Sequence, residues 1–385
     1  MARPAAKNSK TTAILGWLLI LGTLAAVGYE WFRPKAATIS QADIQRSLVP
    51  ATLEGTYPCV QGSVSGGQVT SGSGLCATTV SHAQSVELFE TDLRYASFIV
   101  RQTDLPLNDV FNAPLERAYS SSDWGSPSHE HAFGFNASDS YDIAPTGSRF
   151  PYTYQNLMLE DNDFLSFKRI SPGTGFADAV YLHTETSTRF YGATIAWNGD
   201  GWTLRLRDGT DMIFPEAYGA RDLAQGAAYE IRNAAGDKLL LKRDAQRNLQ
   251  KVLTPHGRWI QLQDDDQGRI LEAGDDAGHV VHYRYDPAGM LSDVFYSDGR
   301  KRHYEYEDRL MTSVTDEHGD VLVRNWYQNG RVVRQLFNGR DLYTYEYSWF
   351  PGSHYMNEVI VTLPNGNKED IFPGACVPSF LRDPQ

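Results

Sequence analysis

The sequence predicts an all-β chain: repeated short antiparallel strands in a twisted sheet, preceded by one N-terminal transmembrane helix. Three observations predict this. A glycine returns at Gly236, Gly257, Gly278, Gly299, Gly319 and Gly339, in steps of 21, 21, 21, 20 and 20 residues. A short alternating run follows each one, with apolar residues at fixed offsets: Leu239 and Leu241, Ile260 and Leu262, Val281 and Tyr283. Ahead of the repeats, Thr11 to Tyr29 is an uncharged and mostly apolar run.

Each repeat reads as strand, turn, strand, turn. A second break at Gly268, Gly289 and Gly330 is followed two residues later by Ile270, Leu291 and Val332. A fixed period of this size marks one supersecondary unit used many times. Two short strands cannot bury an apolar face alone, so stacked units must share one sheet. Glycine suits the turns because hairpin turns often need positive φ. The fourth unit lacks its second glycine and is one residue short at Asp308-Arg309, and Tyr343, Tyr345 and Tyr347 fall one place out of step. A register slip or bulge is expected there. Tyr283 and Tyr285, echoed by Tyr304 and Tyr306, are read either as core filling or as an exposed aromatic row that stacks on sugar rings, with Arg302 and His303 beside Tyr304 suiting the second reading. Core filling is the favoured of the two.

These residues resemble the RHS/YD-repeat family. The segment GHVVHYRYDPAGML, Gly278 to Leu291, carries the resemblance most clearly, with Tyr285-Asp286 as the dipeptide that names the repeat. Upstream, Glu116-Arg117-Ala118-Tyr119, Phe133-Gly134-Phe135 and the run from Gly201-Trp202 to Asp208-Gly209 resemble the stretch that opens such proteins. The resemblance implies a sheet that spirals into a hollow shell. Toxin-bearing members end that shell with a proline, four residues and Asp-Pro-x-Gly. Here Pro378 and Asp383-Pro384 stand at that spacing, but the glycine and the tyrosine-rich core segment are missing, so neither self-cleavage nor a toxin payload is expected.

The apolar run is nineteen residues, about 28 Å of helix at roughly 1.5 Å per residue, enough for a bilayer core. Trp17 lies within it and Tyr29 ends it, with Arg3, Lys7 and Lys10 before it. That bias places the N-terminus in the cytoplasm. A cleaved signal peptide is the competing reading, although no small-x-small site follows the run. The chain then divides into residues 1–35, a tail and single-pass anchor; 36–85, a flexible Gly/Ser-rich linker; 86–223, a β-rich domain; 224–350, the repeats; and 351–385, a C-terminal tail. The expected location is the inner membrane, with the C-terminal domain on the periplasmic or extracellular side. In such a compartment Cys59 and Cys76 are expected to close a disulfide loop, leaving Cys376 over.

The net charge of −12 argues against a nucleic-acid partner. No nucleophile elbow, zinc-protease motif or phosphate loop is present, and no cofactor is implied. His129-Glu130-His131 is the best metal candidate but reads as a polar loop. Asp264-Asp265-Asp266 and Asp275-Asp276 precede glycines and read as solvated turns. The sequence therefore points to a non-enzymatic, envelope-anchored protein that binds or scaffolds carbohydrate or another protein. A component or remnant of a toxin-delivery system is the alternative, and an envelope hydrolase the third reading.

Overall fold

The computed structural model describes residues 62–65, 68–70, 77–84, 87–122, 130–185, 189–218, 220, 223–352 and 356–373. Thr11, Trp17 and Tyr29 of the expected anchor lie outside these residues, as do Cys59, Cys76 and Cys376. Among the described residues no helix is long and apolar enough to cross a membrane.

Two large sheets make up the fold. Residues from Gly62–Ser65 to Ala137–Asp139 form a seven-stranded sheet. From Ala144–Gly147 to Lys368–Ile371 the chain runs as a 21-stranded meander in which every strand pairs antiparallel with the next. The break between the sheets thus falls between Asp139 and Ala144, not near residue 223. The meander passes through that position and continues beyond 350 with Met356–Thr362 and Lys368–Ile371. The expected linker contributes Gly62–Ser65, Gln68–Thr70 and Ala77–Gln84 to the smaller sheet.

The repeat is built as a hairpin turn closed by an acidic side chain. Asp286, the aspartate of the Tyr-Asp pair, accepts the backbone N–H groups of Ala288 and Met290 on Oδ1 at 2.8 and 2.9 Å. Asp265, Asp275 and Asp316 repeat that geometry. The six period glycines, Gly236, Gly257, Gly278, Gly299, Gly319 and Gly339, all have φ between +67° and +93°. At Gly278 the space around an added Cβ is empty, so the backbone angle alone selects glycine. In the short fourth unit Asp308 and Arg309 take φ of 49° and 65° as a two-residue turn between paired Glu307 and Leu310. The register slip begins at this turn, and a bulge between Val314 and Thr315 follows.

The tyrosines do two different jobs. The second one of each unit donates its hydroxyl to a backbone carbonyl at the start of the preceding strand: Tyr285 to Ile270 at 2.7 Å, Tyr306 to Leu291 at 2.9 Å, Tyr327 to Met311 at 2.8 Å and Tyr347 to Val332 at 2.5 Å. Pairing between Ile270–Asp275 and Val280–Tyr285 has stopped by this point, the last partners being Glu272 and His282. The hydroxyl therefore satisfies a carbonyl that the ladder leaves open. One and two periods upstream of Tyr285 the same place holds Asp264 and Arg243. Arg243 follows the pattern, donating from Nε to the Ala228 carbonyl at 3.0 Å.

Tyr283 and Tyr304, the first tyrosines of their units, are core, and their hydroxyls hold the smaller sheet. Tyr283 and Tyr304 are 3 % and 2 % exposed, which leaves no ring face for a sugar. Arg302 is paired with Glu87 and Glu317, and His303 Nδ1 lies 3.0 Å from Asp293. Tyr283 donates to Asp104 Oδ2 at 2.9 Å and Tyr296 to Asp104 Oδ1 at 2.7 Å. Arg117 donates to both oxygens of the same carboxylate at 3.0 and 3.2 Å, to Gln102 at 3.0 Å and to the Tyr304 hydroxyl at 3.0 Å. Phe133 covers the group, its ring 4.9 Å from that of Tyr283. The neighbouring hairpin approaches too closely for a side chain, because a Cβ on Gly134 would stand 2.4 Å from the Gly289 carbonyl. Further along, Thr91 bonds Gln335, which also holds Tyr345 and Asn325.

Two predictions follow from this packing. Arg117→Met strips the cation from a fully buried Asp104 and should cost about 3–5 kcal/mol. Tyr283→Phe removes one hydrogen bond to that carboxylate and should cost about 1.5–3 kcal/mol. Urea melts measure both, and unchanged midpoints would contradict the network. A further prediction concerns Asp264. Burial pushes its carboxyl up to about 6 from 3.8, against the Gln250 amide that hydrogen-bonds it, while Asp244, Asp265 and Asp142 add repulsion. A raised folded-state pKa favours the fold most below about 3.8, and that contribution is lost as the pH rises through about 6. Asp264→Asn should therefore gain stability over the parent as the pH rises across this window. The gain is about 1 kcal/mol after discounting for partial solvent exposure. Thermal melts at the two ends of the window should show it, and a gain independent of pH would contradict the assignment.

Candidate ligand cavity on the second face of the small sheet

Successive side chains of a strand point to opposite faces. In Ser97–Leu105 this sends Phe98, Val100, Gln102 and Asp104 toward the repeats and Ile99 and Arg101 the other way. Strand pairing sets Leu88 opposite Arg101, Glu90 opposite Ile99, Ser81 opposite Glu90, and Glu116 opposite Thr103. The face so formed fronts a cavity of about 1050 Å³. Its far wall is apolar and comes from the early strands of the long sheet, with Leu165, Phe190, Leu206, Met212, Ile231 and Leu239. Residues 159–163 and 111–114 form its remaining sides.

Arg101 is the centre of the charged wall. Its guanidinium is bound by Glu160 at 2.6 Å, by Glu90 at 3.4 Å and by Asp161. Burial alone would lower its pKa, but these three carboxylates hold it above the ordinary arginine value. Arg94 is held in the same way by Asp92 and by Asp163 at 2.7 Å. Both arginines tie the turn at 159–163 to the small sheet, and Ser138 adds a bond to the Glu160 carbonyl at 2.6 Å. Glu116 is different. Among the described residues its carboxylate makes no hydrogen bond and no direct ion pair, and burial pushes it up from the ordinary range against the fields of Arg101 and Arg189.

The residues singled out from the sequence stand elsewhere. The period glycines lie at turns of the long sheet, and the four tyrosines Tyr283, Tyr285, Tyr304 and Tyr306 belong to the interface between the sheets. Glu130–His131 forms a short hairpin with Gly134–Phe135, while His129 lies outside the described residues. Among the described residues no three His, Cys, Asp or Glu side chains are grouped to hold a metal ion. Of the acidic turns expected to be solvated, Asp265 and Asp275 do cap turns, but Asp275 is buried, and Asp264 points inward to Gln250. Sequence reasoning missed Glu90, Arg101 and Glu116. The available signal was charge inside apolar strands, since Arg101 follows Phe98-Ile99-Val100 directly and Glu116 follows Leu115.

No family model matches the chain. No curated protein matches it either. Among solved structures, the pore of the Photorhabdus luminescens Tc holotoxin bearing a TccC3 mutation is similar at a TM-score of 0.29 and 14 % identity, over 73 % of this chain and 16 % of that one. A TcdB2–TccC3–Cdc42 structure is similar at a TM-score of 0.30 and 12 % identity, over 77 % of this chain and 16 % of that one. The chain thus matches only a small part of the length of these proteins.

Arg101→Met should leave Glu160, Asp161 and Glu90 without their cation. We expect a loss of about 1–3 kcal/mol and faster amide exchange confined to residues 159–163. Exchange that stays slow in that turn would show that Arg101 does not hold it.

Proposed function

We propose that this chain is a non-enzymatic binding or scaffolding protein of the RHS/YD-repeat type, and that its ligand occupies the cavity beside Arg101. The observation that carries the reading is a cavity of about 1050 Å³ with one charged and one apolar wall. Small-molecule sites span about 300–1,000 Å³, mostly apolar with a few placed polar groups. The volume therefore favours an oligosaccharide or a short protein segment over an enclosed effector domain, which the toxin-delivery alternative needs. A hydrolase of the two-carboxylate kind needs an acid and a base free to act across a gap. Here Glu90, Glu160 and Asp161 are committed to Arg101, which supports binding over catalysis. The anchor at Thr11 to Tyr29 would hold this domain at the inner membrane, facing away from the cytoplasm.

The test uses the full chain in detergent. Thr210 lines the cavity and is half-buried. Thr210→Trp should obstruct part of it while leaving the melting temperature within a few degrees. The parent protein on a glycan array, and in a pull-down from envelope extract, should retain a ligand that Thr210→Trp loses. Equal retention by both proteins would overturn the cavity as the site.

A further inference from the structure

The charges around the cavity are not balanced. Six carboxylates line it, those of Glu90, Asp92, Glu116, Glu160, Asp161 and Asp163, against the three guanidinium groups of Arg94, Arg101 and Arg189, a formal excess of three negative charges. Arg101 and Arg94 are already saturated by carboxylates. At either of them an anionic ligand would have to displace one of those carboxylates, which would remain in the cavity to repel it, and at Arg189 it would meet the field of Glu116. Glu116 is the one lining carboxylate, among the described residues, without a hydrogen bond or ion pair. It therefore stands partly desolvated with no direct partner, its charge favoured only by the longer-range fields of Arg101 and Arg189. Across from this wall Leu206, Met212 and Leu239 offer a surface that gains by covering.

We infer that the cavity takes a small organic cation joined to an apolar body, its ammonium or guanidinium group against Glu116 and its apolar part against Leu206, Met212 and Leu239. This rests on the binding reading above and, of its two ligand classes, selects the short protein segment, with a basic group beside apolar side chains, over the oligosaccharide. The cation supplies the partner that Glu116 lacks, and a charge-assisted hydrogen bond in a partly enclosed site is stronger than a neutral one. The excess of negative charge also draws cations to the site before contact.

Calorimetric titration of the full chain tests this with three probes of one shape: phenylbutylamine, phenylbutanol and phenylbutyrate. The amine should bind about tenfold more tightly than the alcohol, a difference of about 1.4 kcal/mol, and the acid should not bind. Glu116→Gln should bring the amine down to the alcohol, with the alcohol unchanged as the check that the cavity is still formed. Lowering the pH should weaken the amine on the parent protein and leave it unaffected on Glu116→Gln. Alcohol binding as tightly as amine would overturn the cationic ligand and leave the cavity reading standing. Loss of every probe, while Thr210→Trp still releases an envelope ligand, would overturn this inference alone. Loss of both would overturn this inference and the binding reading together.

Discussion

The structure turns on one buried carboxylate. Asp104 is fully enclosed and accepts four hydrogen bonds, two from Arg117 and one each from Tyr283 and Tyr296. A carboxylate in such a place is tolerated only with its partners complete. Two of those partners sit on the long sheet and the third on the small one, so the requirement can be met only when the sheets dock in one register. Apolar contacts such as Phe133 on Tyr283 would tolerate sliding. The hydrogen-bonded group does not, because a shift of one residue turns every side chain of a strand to the wrong face. The hydroxyl of Tyr304, pushed up to about 12 in pKa by burial, stays neutral and able to donate to Gln102 throughout the physiological range.

That register also decides where the cavity is. Gln102 and Asp104 alternate with Arg101 along the same strand, so the side chains that lock the dry face fix the orientation of the wet one. The early strands of the long sheet then close over Arg101 from the opposite side through Glu160 and Asp161. The long sheet therefore contacts both faces of the small sheet: the repeats on one, and the strands before them across the cavity on the other. An arginine pinned by three carboxylates is a rigid wall, which suits recognition by shape and charge. It is poorly suited to proton transfer, which needs a group free to change its charge.

What could be read from the sequence was what local chemistry writes down. The period glycines announce turns because positive φ is a property of single residues, and the apolar offsets announce strands because the pleat has a period of two. Arg117 and Tyr119 were legible as a motif but not as a junction. Their partners, Tyr304 and the Met311 amide, lie 187 and 192 residues away. The strands between Gly62 and Gln84 were hidden by their Gly, Ser and Thr content, which reads as linker until an apolar neighbour such as Phe337, stacked on His82 at 3.9 Å, is known. Asp264 was misleading for a related reason. It stands beside a turn in sequence, yet its place in the repeat is that of the inward tyrosine, and only the strand register separates the two. The cavity left only the local trace of charge inside apolar strands, as at Arg101 and Glu116, because its walls come from strands far apart in the chain.

The way the long sheet contacts the small one has a consequence for how the protein is made. The small sheet is synthesised first, and its dry face carries Val80, Phe89, Phe98 and Val100. Its covering arrives much later: Thr91 meets Gln335 across 244 positions, and the Tyr345 strand comes after that. Contacts of such separation form slowly because the loop must close before they reward it. Until the last repeats emerge, a greasy β-surface with unpaired polar groups waits uncovered, the condition under which chains aggregate or recruit helpers. A premature stop in the final repeats would therefore be more damaging than its distance from the cavity implies. The last strands of the chain act as the clasp on a structure whose first strands cannot stand alone.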